Sequence, residues 1–188
     1  DGKPKYLPAD EYLSGNVREK LEWARRSAEL YPEDYAENVR ALEAVQPVDL
    51  TASEISVRLG ATWLPPEIAE QFMFDLFGTP RYCQWNIHVH FSQYTGEWNV
   101  EGKSYDRTNV KAYNTYGTSR INGYKIMEET LNLKDVRIFD YIEDENGKKT
   151  AVLNKKETAI AQGKQELIKQ AFADWIWKDP ERREKLTR

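Results

Sequence analysis

Cysteine occurs once in the 188 residues, at Cys83. A lone thiol closes no internal disulfide, which suits a reducing, cytoplasmic setting. Long apolar runs are missing too. Nothing approaches the roughly 18 residues that a membrane span needs, and no signal-peptide pattern opens the chain, so no membrane partner is expected. Glycine is sparse and scattered, ten residues in all, with no GxxxxGK[ST] and no GxGxxG. The backbone turn that brings amide groups against a phosphate or a nucleoside is therefore not encoded here. No Asp-Pro-Pro-Tyr or Asn-Pro-Pro-Tyr offers a platform for a flipped adenine, because Pro65-Pro66 is followed by Glu67. No GxSxG elbow presents a nucleophilic serine. Methyltransferase, ATPase, dehydrogenase and serine-hydrolase centres are thus excluded from this stretch, which reads as non-catalytic. Low-complexity tracts and fixed-period repeats are also absent.

Aromatic side chains are plentiful: six Trp, eleven Tyr and six Phe. A chain of this length can bury roughly 70% of its unfolded surface, enough for a core without staples. Lys and Arg number 27 against 31 Asp and Glu, a net charge of −4. That balance argues against a wholesale polycation but leaves room for a local basic patch. The chain starts at Asp1 without an initiator Met and stops in the charged run KDPERREKLTR, so it is read as one compact domain cut from a longer protein.

Hydrophobic period divides the chain. Residues 1–80 read as a helical part. Asn16 with Glu19 has capping-box spacing and opens a helix whose stripe is Val17, Leu21, Ala24, Ala28 and Tyr31. Pro32 starts a second helix through Tyr35, Val39, Leu42 and Val45, the two are expected to form an antiparallel helical hairpin, and Pro47 ends it. Thr51 with Glu54 predicts a short helix through Ile55 and Leu59 that Gly60 terminates. Pro65-Pro66 introduces another, carrying Ile68, Phe72, Met73 and Leu76 and closed by Gly78. These apolar stripes are expected to lie against the sheet that follows.

Residues 81–153 read as antiparallel sheet plus helix. From Cys83 the period becomes 2, with Trp85, Ile87, Val89 and Phe91 inward and His88 and His90 on the polar face. A turn at Tyr94–Glu97 returns the chain through Trp98 and Val100. Gly102 to Arg120 has no clean period, with a short strand expected near Val110. Ile121, Tyr124, Met127 and Leu131 give a helix. Val136–Tyr141 and Thr150–Leu153 flank an Asn-Gly hairpin at Asn146-Gly147. Residues 154–188 read as C-terminal helices leading into a next domain: Asn154 with Glu157 caps a long helix bearing Leu167, Ile168, Ala171, Phe172, Trp175 and Ile176, and Asp179-Pro180 breaks it. The fold class is α+β, with a helical N-terminal half, antiparallel β-hairpins with an intervening helix, and a long C-terminal helix.

Charge is least even between Gly102 and Lys125. Lys103, Arg107, Lys111, Arg120 and Lys125 are five cations against the single acid Asp106, a local net of +4. Tyr105, Tyr113, Tyr116 and Tyr124 interleave with them. Cations neutralise phosphates and release counterions, and aromatic faces stack on unpaired bases. The candidate nucleic-acid-binding residues are Lys103, Arg107, Lys111, Tyr113, Tyr116, Arg120 and Lys125. Four phosphate contacts would give a log–log salt slope of about −3.6 on duplex DNA. The plain alternative is a solvated loop whose tyrosines pack on the sheet. His88 and His90, two apart on a strand, could serve a metal-dependent nuclease only with further ligands, and Cys83 falls on the opposite face. No metal site is assigned.

The pieces YLSGNVREKLEWA, NVRALEAVQPVDLTASEISVRLGATWLPPE, TGEWNV, YGTSRINGYKIMEETLNLKDVRIFD and VLNKKETAIAQGKQELIKQAFADWIWKDPERREKL, in this order, resemble a segment of very large bacterial mobile-element proteins. Those proteins combine an adenine-specific DNA methyltransferase with a Snf-type DEAD/DEAH helicase. The resemblance runs from about Tyr12 to Arg188 and places the segment between the two enzymes, with no family catalytic residue inside it. It implies that S-adenosylmethionine and ATP with magnesium belong to the parent, that this piece holds no cofactor, and that its partners are DNA and the flanking methyltransferase and helicase domains. Its role would be to contact the DNA backbone and position the methyltransferase relative to the motor, or else to link the two without touching DNA. In the linker reading Trp175 and Trp177 would widen an outward apolar helix face.

Overall fold

The computed structural model describes residues 6–48 and 55–187. The chain divides into two compact units, Asp1–Leu50 and Thr51–Arg188.

In the first unit, α1 (Ala9–Tyr12), α2 (Val17–Leu30) and α3 (Pro32–Ala44) follow one another. Asn16 caps α2 as its spacing predicts. Its side chain accepts from Glu19 N at 3.2 Å, satisfying one free end of the helix, and its amide donates to Glu19 Oε2 at 2.9 Å, which holds the cap in place. Pro32 occupies the first turn of α3, where its missing N–H costs nothing. Leu21, Ala24 and Leu42 form the small core between α2 and α3. These two helices bury their stripes against each other, the helical hairpin that their sequence pattern predicts.

The second unit holds α4 (Pro66–Phe77), the helical turn α5 (Arg81–Gln84), β1 (His88–Ser92), β2 (Glu97–Glu101), a π-helical turn (Lys111–Thr115), α6 (Gly123–Leu131), β3 (Phe139–Glu143), β4 (Lys149–Leu153), α7 (Lys155–Ile176) and α8 (Pro180–Thr187). Helices and two antiparallel hairpins in one chain make the class α+β. β1 pairs with β2 in the register His88↔Glu101 to Ser92↔Glu97, and its inner face, with Val89, Trp98 and Val100, lies against α4 and α6. α6 runs through the middle and is buried almost all round. α7 closes the core through Thr158, Ala161, Gln165, Ile168, Phe172 and Ile176, a three-and-four spacing along one face. Aromatic rings tie the layers. Phe72 meets Phe172 edge-on at 5.0 Å and Trp175 at 5.3 Å, while Phe77 meets Tyr124 edge-on at 4.8 Å.

Three sequence expectations change here. Thr51–Glu54, the expected capping box, lies outside the described residues, but Ile55–Arg58 is irregular rather than helical. Val57 and Leu59 turn inward while Ser56 and Arg58 face solvent. That is a period of 2, and the left-handed Gly60 (φ +86°) lets the chain press against Leu131. The first strand starts at His88, not near Cys83: residues 81–84 coil into α5, held by Cys83 N donating to Pro80 O at 2.9 Å and Gln84 Nε2 to Thr79 O at 2.8 Å. Instead of a strand near Val110, the π-helical turn forms, started by Asn109 Oδ1 accepting from Ala112 N at 3.0 Å.

The second hairpin forms at the predicted Asn-Gly turn, with Gly147 at φ +77° and register Phe139↔Leu153 to Glu143↔Lys149. It forms a two-stranded sheet separate from β1–β2. Asn154 caps α7, accepting from Glu157 N at 3.0 Å. At the other end of α7, the buried Arg182 stacks on Trp175 with its guanidinium carbon 3.3 Å from the ring centroid, and donates to Trp175 O at 2.8 Å. A cation so placed completes the carbonyl end of the helix.

Candidate nucleic-acid interface

The basic segment folds into the link between β2 and α6, and its cations meet different fates. Lys103 donates to Val100 O at 2.6 Å and to the carboxylate of Glu128. Lys125 bridges Glu128 at 2.6 Å and Glu129 at 2.9 Å. Arg120 is held by Asp140 at 2.7 Å and by Phe139 O at 2.8 Å. Three of the five cations are thus consumed internally. With Glu128, Glu129 and Asp140 counted, the local net charge falls from +4 to +1. Arg107 and Lys111 remain exposed without a carboxylate partner among the described residues; Arg107 Nε donates only to Ser104 O at 3.1 Å.

Glu128 is the hub of the paired group. Burial alone would raise its carboxyl, but the hydrogen bonds from Lys103, Lys125 and Val100 N–H outweigh burial and hold it below the ordinary glutamate range. Desolvation likewise works to lower Lys125, and the two glutamates beside it carry it above the ordinary lysine value. The Arg120 guanidinium, followed by the Asn154 amide, holds the Asp140 carboxyl down.

The tyrosines expected to stack are largely occupied. Tyr113 and Tyr116 pack against the core, Tyr113 Oη accepting from Asn122 Nδ2 at 3.4 Å and Tyr116 lying 5.9 Å from the Phe77 ring. Tyr105, by contrast, is 61% exposed.

Asp106, the one acid of the segment, is buried and organises the loop from beneath. It accepts from Tyr124 Oη at 2.8 Å, from Asn109 Nδ2 at 2.6 Å and from Cys83 Sγ at 3.7 Å. Because the Tyr124 proton is spent on Asp106, the Thr79 hydroxyl is the donor in its 2.6 Å contact with Tyr124 Oη. Burial pushes the Tyr124 phenol up, with Asp106 adding to the rise and Thr79 opposing it. Burial, and then Asp106, likewise push the Cys83 thiol up, so Cys83 is a poor nucleophile and a packing residue.

This buried contact joins two surface segments. Cys83 belongs to α5 and Asp106 to the loop after β2, and the backbones also touch, since a Cβ on Gly102 (φ +72°) would run into the Asn86 carbonyl oxygen. With Cys83 turned in, its neighbours Arg81, Tyr82 and Trp85 face solvent, Tyr82 at 72% and Trp85 at 82% exposure. With Asp106 turned in, its neighbours Tyr105 and Arg107 face solvent. Lys111 Nζ lies next to Gly78, within the same turn region. Arg81, like Arg107 and Lys111, has no carboxylate partner among the described residues. The two joined segments together expose aromatics and uncompensated cations, a set called the ridge below. The sequence pattern alone does not point to Arg81, Tyr82 and Trp85, because simple alternation puts Trp85 on the buried face of a longer strand.

The two histidines share one strand face, ring centroids 6.1 Å apart, but each meets a carboxylate: His88 Nδ1 with Glu70 at 3.5 Å and His90 Nε2 with Glu101 at 3.3 Å. Among the described residues, no three or more His, Cys, Asp or Glu side chains are grouped to hold a metal ion. A cleft of about 460 Å³ lies between the Val57–Leu59 segment, the Leu133 turn and α7. Trp175 and Trp177, expected on an outward apolar face, pack against the core instead. Among the described residues, no helix is long and apolar enough to cross a membrane.

An α+β domain of helices and antiparallel hairpins is the class that the second unit defines. Residues 58–188 match a family described as Domain of unknown function (DUF8437), and the chain belongs to that family. No curated protein and no solved structure matches the chain.

Proposed function

We propose that this chain is a non-catalytic DNA-handling module of a bacterial protein that carries an adenine-specific methyltransferase and a Snf-type helicase, and that it contacts the DNA backbone while positioning one enzyme relative to the other. The motif order described above suggests the parent; S-adenosylmethionine, ATP and magnesium then serve the flanking domains. The observation that carries the reading is the set Arg81, Arg107 and Lys111, exposed, without carboxylate partners among the described residues, and grouped around the α5–loop contact. Uncompensated cations on one ridge attract a polyanion, whereas Lys103, Arg120 and Lys125 are already neutralised.

Fluorescence anisotropy of the 188-residue chain with labelled DNA across a salt series tests this. Three phosphate contacts give a log–log slope of about −2.7 on duplex DNA. Arg107→Glu with Lys111→Glu should weaken binding about equally across sequences. Absence of binding at low salt removes the reading.

A second reading, a connector between enzymes without DNA contact, is favoured by the β3–β4 hairpin. Phe139, Tyr141, Ile142, Val152 and Leu153 are all exposed there. A lone two-stranded ribbon with apolar side chains in water gains stability from being covered. Under this reading Tyr141→Ser with Ile142→Thr leaves the fold intact and abolishes co-purification with a flanking domain supplied in trans.

A further inference from the structure

We infer that the ridge built on α5 and the loop after β2 takes an unpaired nucleic-acid strand, its bases stacking on Trp85 and Tyr105 while Arg81, Arg107 and Lys111 follow the phosphates; this rests on the DNA-contact reading and specifies its ligand. Duplex DNA offers a backbone to cations but keeps its base faces stacked inside, so it gives exposed rings nothing to cover. A single strand offers both, and sites for it join a cationic track to aromatic platforms. The ridge has that composition. Trp85 and Tyr82 are 82% and 72% exposed, and neither side chain has a ring or hydrogen-bonding partner among the described residues. A large apolar ring left in water is unfavourable unless a ligand uses it, and three rings beside three uncompensated cations fit a ligand that is both anionic and flat-faced.

The placement is also rigid, as a stacking platform must be. The Cys83–Asp106 contact, the Asn109 bridge from Asp106 Oδ2 at 2.6 Å to Phe77 O at 3.0 Å, and the close approach at Gly102 fix both segments to the core. The backbone segments that carry the rings are therefore placed before ligand arrives, so only side-chain rotation remains to be ordered on binding. An apolar protein partner is disfavoured by the cations interleaved with the rings; it is an outcome of the test.

The probes are a labelled oligo-thymidine and a labelled duplex of equal length, titrated against the intact chain, Trp85→Ala with Tyr105→Ala, and Arg107→Glu with Lys111→Glu. Thermal melts establish that each variant folds, which the exposure of all four positions favours. The expected pattern is tighter binding to the single strand, loss of at least roughly tenfold in that affinity in the aromatic variant with duplex binding unchanged, and loss of both affinities in the charge variant. Trp85→Phe should retain most single-strand affinity. Equal losses on both probes in the aromatic variant, or no loss on either, overturn the stacking assignment while leaving DNA contact standing. Binding to neither probe at low salt overturns both.

Discussion

Glu128 shows how one residue can cancel a charge pattern. Its carboxylate sits on α6, accepts from Val100 N at 2.9 Å, and holds Lys103 and Lys125 at the same time. Its folded pKa lies below the unfolded value of about 4.3, so its stabilising contribution is complete above that range and is lost as the pH falls through the folded pKa. Glu128→Gln should therefore flatten the acid limb of a stability-versus-pH curve, measured by chemical denaturation. At neutral pH it should cost about 1–2 kcal/mol, because two part-buried lysines lose a charge-assisted partner. An acid limb unchanged by the substitution would mean that other carboxylates control it. Gly102 is a second case. Gly102→Ala puts a methyl group into the Asn86 carbonyl and forces a left-handed φ on an L-residue, so a loss of about 3 kcal/mol or more is expected. The same variant should weaken nucleic-acid binding, since the two halves of the ridge meet there.

Elements differ in how plainly they can be read, and the difference has a physical source. Where a start signal is local, the sequence shows it: Asn16 and Asn154 reach backbone N–H groups three residues ahead, and Asn146-Gly147 carries its own turn. Asn154→Ala should accordingly cost about 1 kcal/mol, seen as a lower denaturation midpoint with an unchanged slope. The segments that depart from expectation are those whose conformation is decided by distant packing. Ile55–Leu59 fits either period over so few residues, and the irregular one puts Val57 and Leu59 on the core and Gly60 against Leu131, far away in sequence. Trp85 has the right parity for a buried strand position. It stays in solvent because Pro80 starts a helical turn that buries Cys83 instead. Phe72 on α4, enclosed by Phe172 and Trp175 of α7, is the element-scale anchor. Phe72→Ala should cost about 3–5 kcal/mol and melt α4 and α7 together.

At the scale of the whole molecule, charge is a property of the folded surface, not of a window of sequence. The partners that neutralise Lys103 and Arg120 lie 25 and 20 residues along the chain, so no local count could reveal them. The same folding ties the α5 turn, which carries the exposed Arg81 from outside the basic window, to the loop of Arg107. This separates two variants that look equivalent in the sequence. Lys103→Glu with Arg120→Glu places like charges against Glu128 and Asp140, so it should lower the melting temperature while changing single-strand affinity little in the fraction that remains folded. Arg107→Glu with Lys111→Glu reverses the same number of charges at positions without carboxylate partners. It should leave the melting temperature nearly unchanged and flatten the salt dependence of binding, by about 0.7 in log–log slope for each phosphate of a single strand that is no longer neutralised. Melting temperature and salt slope, measured on both variants, separate the cations that hold the fold from those that hold a ligand. If the first variant loses affinity as steeply as the second, Lys103 and Arg120 exchange their internal carboxylates for phosphate on binding, and the ligand track extends along the whole segment.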